Sequence, residues 1–336
     1  MFNNSEKERR IYIYKERTLP SEIHVYNRSL HRFPPNHPFL QEFSLKLKAI
    51  TAGYIGESYT DRFLQQCDFP KNHEIFKDLY IQTGPESYLQ IDTLIVTQKY
   101  IAILEIKNIK GKIYFQKNPK QLVRELNGVT TTYKCPEQQI LRHYMKLQKL
   151  LLHNKIDIPI HNQIIFAFSS IHVMEPPEKV PVLMACDLPN HLYKLNQLPD
   201  VITPYSYKKL IQFLTSHRSI YHPNPIAQQF NFDWNSLSKG VFCPNCKIQI
   251  SHQKSCSVCK ISRKTLCHLA IEEWFYLCKS TISNRECVQF LNLQNKHQAT
   301  YILKSLNLEP VNCNKYRHYT FSSSFWINKE SSNTVK

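Results

Sequence analysis

Glycine is the residue this chain most lacks. Six occur in 336 residues, where average usage near 7% would give roughly twenty-four. A chain so sparing of glycine keeps it where the backbone needs φ > 0 or where another segment must come close. Three of the six, Gly53, Gly56 and Gly111, fall in or beside the chemistry-bearing segments described below. Long apolar runs are also missing. None approaches the roughly 18 residues a membrane span needs, and the opening MFNNSEKERR has no hydrophobic segment behind its charges. A cytoplasmic location without membrane attachment is the expectation. Acidic residues are short as well, 26 against 43 lysines and arginines, for a net charge of +17. That excess favours a polyanionic partner, nucleic acid first, since no strongly amphipathic basic helix points to a membrane surface. Charge of this kind says nothing about fold.

What is present centres on Gln90–Gly111, QIDTLIVTQKYIAILEIKNIKG. It reads as two strands, Leu89–Thr97 and Tyr100–Lys107, joined by a tight turn. Charged residues are rarely buried without a partner or a metal, yet Asp92, Glu105 and Lys107 interrupt otherwise apolar strands. Alternation sends Glu105 and Lys107 to one face, with the Ile106 carbonyl between them. With Asp92 opposite, two carboxylates, a carbonyl and an ammonium would surround one point. Such a set suits Mg²⁺ and an activated water.

Around this pair the chain shows an ordered series: Gly53-Tyr54-Ile55-Gly56-Glu57, Gln90-Ile91-Asp92, Leu104-Glu105-Ile106-Lys107-Asn108, Gly111, Asn127-Gly128, and a Pro-x-x-Gln from Pro136 to Gln139. The series resembles the PD-(D/E)xK nuclease superfamily and, more closely, its nuclease-related domain (NERD) family, over roughly residues 10–155. The resemblance implies an α/β fold with a nuclease-like mixed sheet flanked by helices. It implies that Asp92 and Glu105 hold Mg²⁺ (or Mn²⁺), with Glu57 of the first helix joining them. Lys107 would orient the nucleophile or stabilise the phosphorane-like state. Gln139, or Gln138 if the register differs by one, would position the water or a phosphate oxygen.

The local patterns fit such a frame. A helix is expected from Phe39 to about Cys67, with Ile55, Tyr59, Phe63 and Leu64 as its apolar positions. Strands are expected at 74–82, 89–97, 100–107, 112–116 and 163–169. A helix from Pro136 to about His153 should bury Ile140, Tyr144, Leu147 and Leu151, leaving Gln139, Arg142, His143 and Lys146 to one side. Arg142 and Lys146 are candidate phosphate contacts.

Eleven cysteines are present, four of them in two CxxC knuckles nine residues apart: Cys243, Cys246, Cys256 and Cys259. In a cytoplasmic chain this spacing indicates a closed four-thiolate shell around a structural Zn²⁺ rather than disulfides or redox pairs. Beyond the knuckles, helices are expected at 265–279, 284–291 and 295–306, followed by a hairpin of 311–313 and 316–321. This order looks like a winged helix-turn-helix, a module that also serves protein docking. In the DNA-binding reading Lys296, Gln298, Thr300, Tyr301 and Lys304 face a groove, and Lys315 and Arg317 sit on the wing. Residues 240–336 hold 13 lysines and arginines against 5 acidic residues.

The expected organisation is an N-terminal arm (1–38), a NERD nuclease-like domain (39–220), a linker (221–239), a zinc ribbon (240–263), a winged-helix-like domain (264–324) and a flexible tail (325–336). The expected function is that of a bacterial, Mg²⁺-dependent deoxyribonuclease with C-terminal DNA-binding modules. A DNA-binding regulator whose nuclease-like domain does not cut is the alternative, and RNA stays open as a substrate.

Overall fold

The computed structural model describes residues 17–84, 87–219, 221, 223–311 and 317–321. Two short-range devices open it: α1 (Ser21–Ser29), and the long α2 (Leu40–Leu64). Strands β1 (His73–Gly84), β2 (Ser87–Thr97), β3 (Ile101–Lys107), β4 (Gly111–Lys117), β5 (Lys120–Leu126) and β6 (Val129–Lys134) follow, then α3 (Pro136–His153), β7 (Ile160–Phe166), β8 (Ile171–Glu175) and β9 (Val182–Met184). Helices α4 (Leu188–Asn196), α5 (Pro204–Ser216) and α6 (Ile226–Phe230) lead to β10 (Val241–Phe242) and β11 (Gln249–Ile250). The last elements are α7 (Arg263–Leu277), β12 (Ile282–Ser283), α8 (Asn284–Leu291), α9 (Lys296–Lys304), β13 (Leu308–Val311) and β14 (His318–Phe321). No helix among the described residues is long and apolar enough to cross a membrane.

Contacts divide the chain into two units. The first holds 1–18 and 55–219, the second 19–54 and 220–336, so the boundary falls inside α2.

In the first unit a five-stranded mixed sheet has the order β1-β2-β3-β7-β9. Strands β1, β2 and β3 pair antiparallel, while β3, β7 and β9 run parallel. Strand β3 (IAILEIK) is buried along nearly its whole length, as expected of a strand covered on both faces. Ile101 and Ile103 pack in a core with Ile140 and Leu147 of α3, while Ala102, Leu104 and Ile106 join Leu64, Leu188 and Leu192. A second sheet, β6-β5-β4-β8, stands beside it in sequence. Its β5–β6 hairpin turns at Asn127-Gly128, both with positive φ (51° and 76°), the geometry that selects Asn-Gly in two-residue hairpins. Gly111 (φ 100°) is the first residue of β4, where an added Cβ would lie 2.5 Å from the Glu125 carbonyl oxygen.

The apolar stripe expected on α2 needs one correction. Ile55 is 48% exposed, whereas Gly56, Thr60, Asp61 and Leu64 are buried. A Cβ on Gly56 would come within 2.7 Å of the Asn108 Cβ and 3.3 Å of the Ala167 Cβ. The helix therefore turns a small and polar face, not an aliphatic one, toward the strand ends. Close backbone approach explains that glycine.

In the second unit, α7 is buried along most of its length, including Trp274 at 0% exposure. Helix α1 packs on it through Ile23, Val25 and Tyr26. Arg32 is fully buried; it donates to Glu273 and to the carbonyls of Ser238 and Gly240, and lies over the Phe290 ring at 4.2 Å. Arg28 pairs with Glu272 and Glu273. Burying such charges is tolerable only because each is paired. Residues 221–239, expected as a linker, carry α6 and the buried Ile226, Trp234 and Leu237. A capping box opens α8: Ser283 Oγ accepts from Glu286 N–H and Glu286 Oε2 accepts from Ser283 N–H. Strands β12, β14 and β13 form a small antiparallel sheet in that order. Lys315, expected on a wing, lies outside the described residues.

Candidate active site

Two adjacent strands build the centre. The pairing of β2 with β3 ends at Thr93–Leu104, so Asp92 and Glu105 are the next residues of the two strands. Asp92 Oδ2 accepts the Ile106 N–H at 2.8 Å, which fixes the carboxylate across the strand pair. Glu105 and Lys107 share the face of β3 that looks at α3, as alternation requires. Lys107 Nζ donates to Glu105 Oε1 at 2.5 Å and to Gln139 Oε1 at 3.3 Å. Lys107 thus links Glu105 and Gln139 in one hydrogen-bonded group, and Asp92 is tied to the backbone N–H of Ile106, the residue between Glu105 and Lys107. Gln139 lies in the first turn of α3, where Pro136 takes a position whose N–H would have no helical partner anyway.

Electrostatics makes the group unsettled as it stands. Glu105 is 1% exposed; burial, and then the charge of Asp92, push its pKa up to about 8 against the pull of Lys107. Burial opposes the Lys107 charge, yet Glu105 and Asp92 outweigh it and hold that pKa above its ordinary value. Glu57 is also pushed up to about 8, by burial first and Asp92 next, with Arg17 opposing. Two carboxylates driven toward protonation beside a third are a mark of a functional site.

Arg17 joins Glu57 to this centre. Its guanidinium lies 3.0 Å from Glu57, 3.4 Å from Asp61 and 2.6 Å from Asp78, and it donates to the Asp92 carbonyl and Thr93 Oγ1. Asp78, between the paired residues Lys77 and Leu79 of β1, adopts φ 50°. Left-handed backbone in a strand is uncommon for a residue other than glycine, and it recurs at functional sites. On α3, His143 Nδ1 stands 3.6 Å from Glu105 Oε2. Burial first pushes its pKa down to about 4, although the Asp92 charge works the other way.

Arg17, Asp61, Asp78 and His143 were not singled out as site residues by sequence. Asp61 and His143 each follow an expected residue, Glu57 and Gln139, by four positions. An i, i+4 spacing on one helix face is the signal that finds them. Arg17 carries no such local signal. Of the candidate phosphate contacts, Arg142 is exposed, while Lys146 Nζ donates to the Tyr88 carbonyl at 2.6 Å.

Glu105 offers a divalent ion a hard oxygen, although among the described residues only the four cysteines described below bring three or more ligand atoms within 4.8 Å of one another. Glu105 Oε2 and Asp61 Oδ1 are buried without a hydrogen-bond partner, a costly state for an oxygen unless something positive completes it. Hard carboxylate oxygens are the ligands Mg²⁺ and Mn²⁺ take.

The second unit holds a different donor set. The sulfur atoms of Cys243, Cys246, Cys256 and Cys259 all lie within 4.8 Å of one another. Each knuckle turns tightly: Lys247 N–H donates to the Cys243 carbonyl and Lys260 N–H to the Cys256 carbonyl, with Lys247 and Lys260 at φ 60° and 61°. The Cys259 N–H, followed by that of Val258, holds the Cys256 thiol down to about 6. Four sulfurs so gathered fit a closed tetrahedral shell of the zinc type.

On α9, Lys296, Tyr301 and Lys304 are exposed. The Thr300 hydroxyl is engaged by Asn284 Nδ2 at 2.9 Å, and Gln298 Oε1 accepts the Gln294 N–H at the helix start. Arg317 is exposed just before β14.

A mixed sheet flanked by helices, with a carboxylate–lysine centre on adjacent strands, defines a nuclease-like α/β domain. Residues 52–167 match the family model of the nuclease-related domain, so the chain contains a NERD domain there, and all the centre's residues except Arg17 fall within it. No curated protein and no solved structure matches the chain.

Proposed function

We propose that the chain is a bacterial, cytoplasmic deoxyribonuclease that hydrolyses phosphodiester bonds with Mg²⁺ or Mn²⁺ held by Asp92 and Glu105. The observation that carries this reading is Lys107 hydrogen-bonded to both Glu105 and Gln139, with Asp92 held on the Ile106 N–H of the same strand. A bound divalent ion would supply a water of lowered pKa and neutralise phosphate charge. Lys107, held charged by Glu105, stabilises negative charge developing on the phosphate. Gln139, tied to Lys107, orients the attacking water or a phosphate oxygen. The Ile106 N–H fixes the Asp92 carboxylate, and Glu57 adds a third oxygen donor near the same point.

The second unit would hold the substrate. The four cysteines take Zn²⁺ and fix the ribbon. The order α7–β12–α8–α9–β13–β14 supports a winged helix-turn-helix in which α9, through Lys296, Tyr301 and Lys304 with Gln298 and Thr300 beside them, meets DNA and Arg317 extends the contact. Positive side chains on phosphates make such binding salt-dependent.

A DNA-binding protein that does not cut is the second reading, and one observation favours it. The Arg17 guanidinium is already within ion-pair distance of Glu57, Asp61 and Asp78, and its positive charge there opposes the binding of an ion. Cleavage of DNA by wild type and by Glu105→Gln, each with Mg²⁺ and with chelator, separates the two. Metal-dependent cleavage that the variant loses, with DNA affinity kept, supports the nuclease. Equal, metal-independent binding by both proteins without cleavage supports the second reading.

A further inference from the structure

We propose that Arg17 is a positioning residue of the candidate active site, its guanidinium fixing the part of β2 that carries Asp92. The inference rests on the nuclease reading above and adds to it a residue from outside the NERD match.

The argument begins where the sheet lets go of Asp92. On one side, the β2–β3 ladder stops at Thr93–Leu104. Past that end the Ile106 N–H goes to the Asp92 carboxylate, so the place of the carboxylate depends on where the β2 backbone runs. On the other side, the β1–β2 register passes from Lys77–Thr93 to Leu79–Ile91 without pairing Asp78 and Asp92. The φ of 50° at Asp78 interrupts regular strand geometry at that point. Asp92 thus sits at a break in both ladders.

Arg17 spans the break. Its Nη2 donates to the Asp92 carbonyl at 3.1 Å and to Thr93 Oγ1 at 3.0 Å. Nη1 stands 2.6 Å from Asp78 and 3.0 Å from Glu57, and Nε 3.4 Å from Asp61. One planar group therefore ties β2 to β1 and α2, with its side chain only 2% exposed. Its bonds to β2 go to a backbone oxygen and a hydroxyl, so it acts on Asp92 through the chain and not at the reacting atoms. A rigid fork of donors reaches all these partners together. A lysine ammonium is a point charge on a flexible stem; it meets the carboxylates and leaves the Asp92 carbonyl without its donor.

The test compares the full-length wild type with Arg17→Lys. The Ile106 amide reports the position of Asp92 without any need of activity. Its hydrogen exchange is followed in protein labelled with ¹⁵N-isoleucine, and Ile106→Val assigns the signal. Arg17→Lys should unfold in urea near the wild-type midpoint, yet Ile106 should exchange about tenfold faster while Ile103 in the paired part of β3 does not. In metal-dependent DNA cleavage kcat should fall about a hundredfold, with KM nearly unchanged. If the lysine variant misfolds, Thr93→Val removes one of the two β2 acceptors and should move Ile106 in the same direction. Ile106 exchange and kcat both as in wild type would reduce Arg17 to a counter-charge and overturn the proposal. So would cleavage that rises in the variant, since the guanidinium would then be excluding an ion. If Ile106 responds but even wild type cleaves no DNA with Mg²⁺ or Mn²⁺, the clamp on Asp92 stands and the nuclease reading falls.

Discussion

The two candidate metal sites of this chain are built on opposite plans. The cysteine site draws its four sulfurs from 17 consecutive residues, Cys243–Cys259, and two tight knuckles bring them together, with Cys243 and Cys256 set in the core of the second unit. The carboxylate site draws on a helix, three strands and a second helix, from Glu57 on α2 to His143 on α3. Its oxygens are aimed by strand alternation and by hydrogen bonds from Ile106 N–H and Lys107. The first plan closes a shell, which is what a structural ion needs; the second leaves an unpartnered oxygen, Glu105 Oε2, which is what chemistry needs. A soft closed site can therefore be read from spacing, while a hard open site exists only once the sheet is formed.

The comparison breaks first at the cysteines. Cys243→Ser should release the zinc and unfold the ribbon, since ion binding in such small modules contributes on the order of 10 kcal/mol to folding. Cleavage by the first unit at saturating DNA should stay within about threefold, because no cysteine of the cluster lies in the NERD match. Elemental analysis beside a cleavage assay checks both halves. Loss of cleavage equal to that of Glu105→Gln would mean the two sites are not independent.

A smaller effect sharpens the contrast by pH. Glu57 and Glu105, ordinarily near 4.5, are raised to about 8 in the fold. Without a divalent ion they keep protons that the unfolded chain has released, so their contribution to the stability of the first unit is fully present below pH 4.5 and is lost as pH rises toward 8. In the second unit His31 is pushed from 6.5 to about 4 by burial, with Arg32 and Lys247 adding to it. Its contribution is present above pH 6.5 and is lost as pH falls toward 4. The histidine effect should reach roughly 1–2 kcal/mol after solvent screening. Of the three tryptophans, Trp234 and Trp274 belong to the second unit and Trp326 lies outside the described residues. Tryptophan fluorescence during urea unfolding therefore follows that unit, while far-UV dichroism includes the other. His31→Phe should flatten only the fluorescence trend; parallel trends in both signals would contradict the assignment.

The smallest effect belongs to α9. Lys296→Ala and Lys304→Ala should each reduce the slope of log affinity against log salt by about 0.9 on duplex DNA. An unchanged slope would remove α9 from the interface.

How much of this was readable beforehand follows from the same physics. Strand β3 was legible because Glu105 and Lys107 stand two apart in an apolar run, and Gln139 because proline marks the start of its helix. The helices expected at 284–291 and 295–306 stand at Asn284–Leu291 and Lys296–Lys304, because a capping box at Ser283 and the helical spacing of Ala299, Ile302 and Leu303 are local patterns. The hairpin of β5 and β6 was not legible, because β6 is almost wholly exposed and shows no apolar alternation. Helix α1 was hidden in a stretch whose buried residues, Ile23, Val25 and Tyr26, matter only against α7. Periodicity misjudged Ile55, since the buried face of α2 holds Gly56, Thr60 and Asp61 instead. Arg17 meets its carboxylate partners across 40 to 61 residues, and no spacing announces a contact of that range.

The central claim is that the group around Lys107 performs metal-dependent phosphodiester hydrolysis. The most direct measurement is cleavage of mixed linear, nicked and branched DNA with Mg²⁺ or Mn²⁺ by wild type beside Lys107→Ala. The account predicts metal-dependent cleavage by wild type and a loss on the order of 10³-fold in the variant, with DNA affinity nearly unchanged. Cleavage that survives the substitution, or tight salt-sensitive binding without cleavage by either protein, would contradict it.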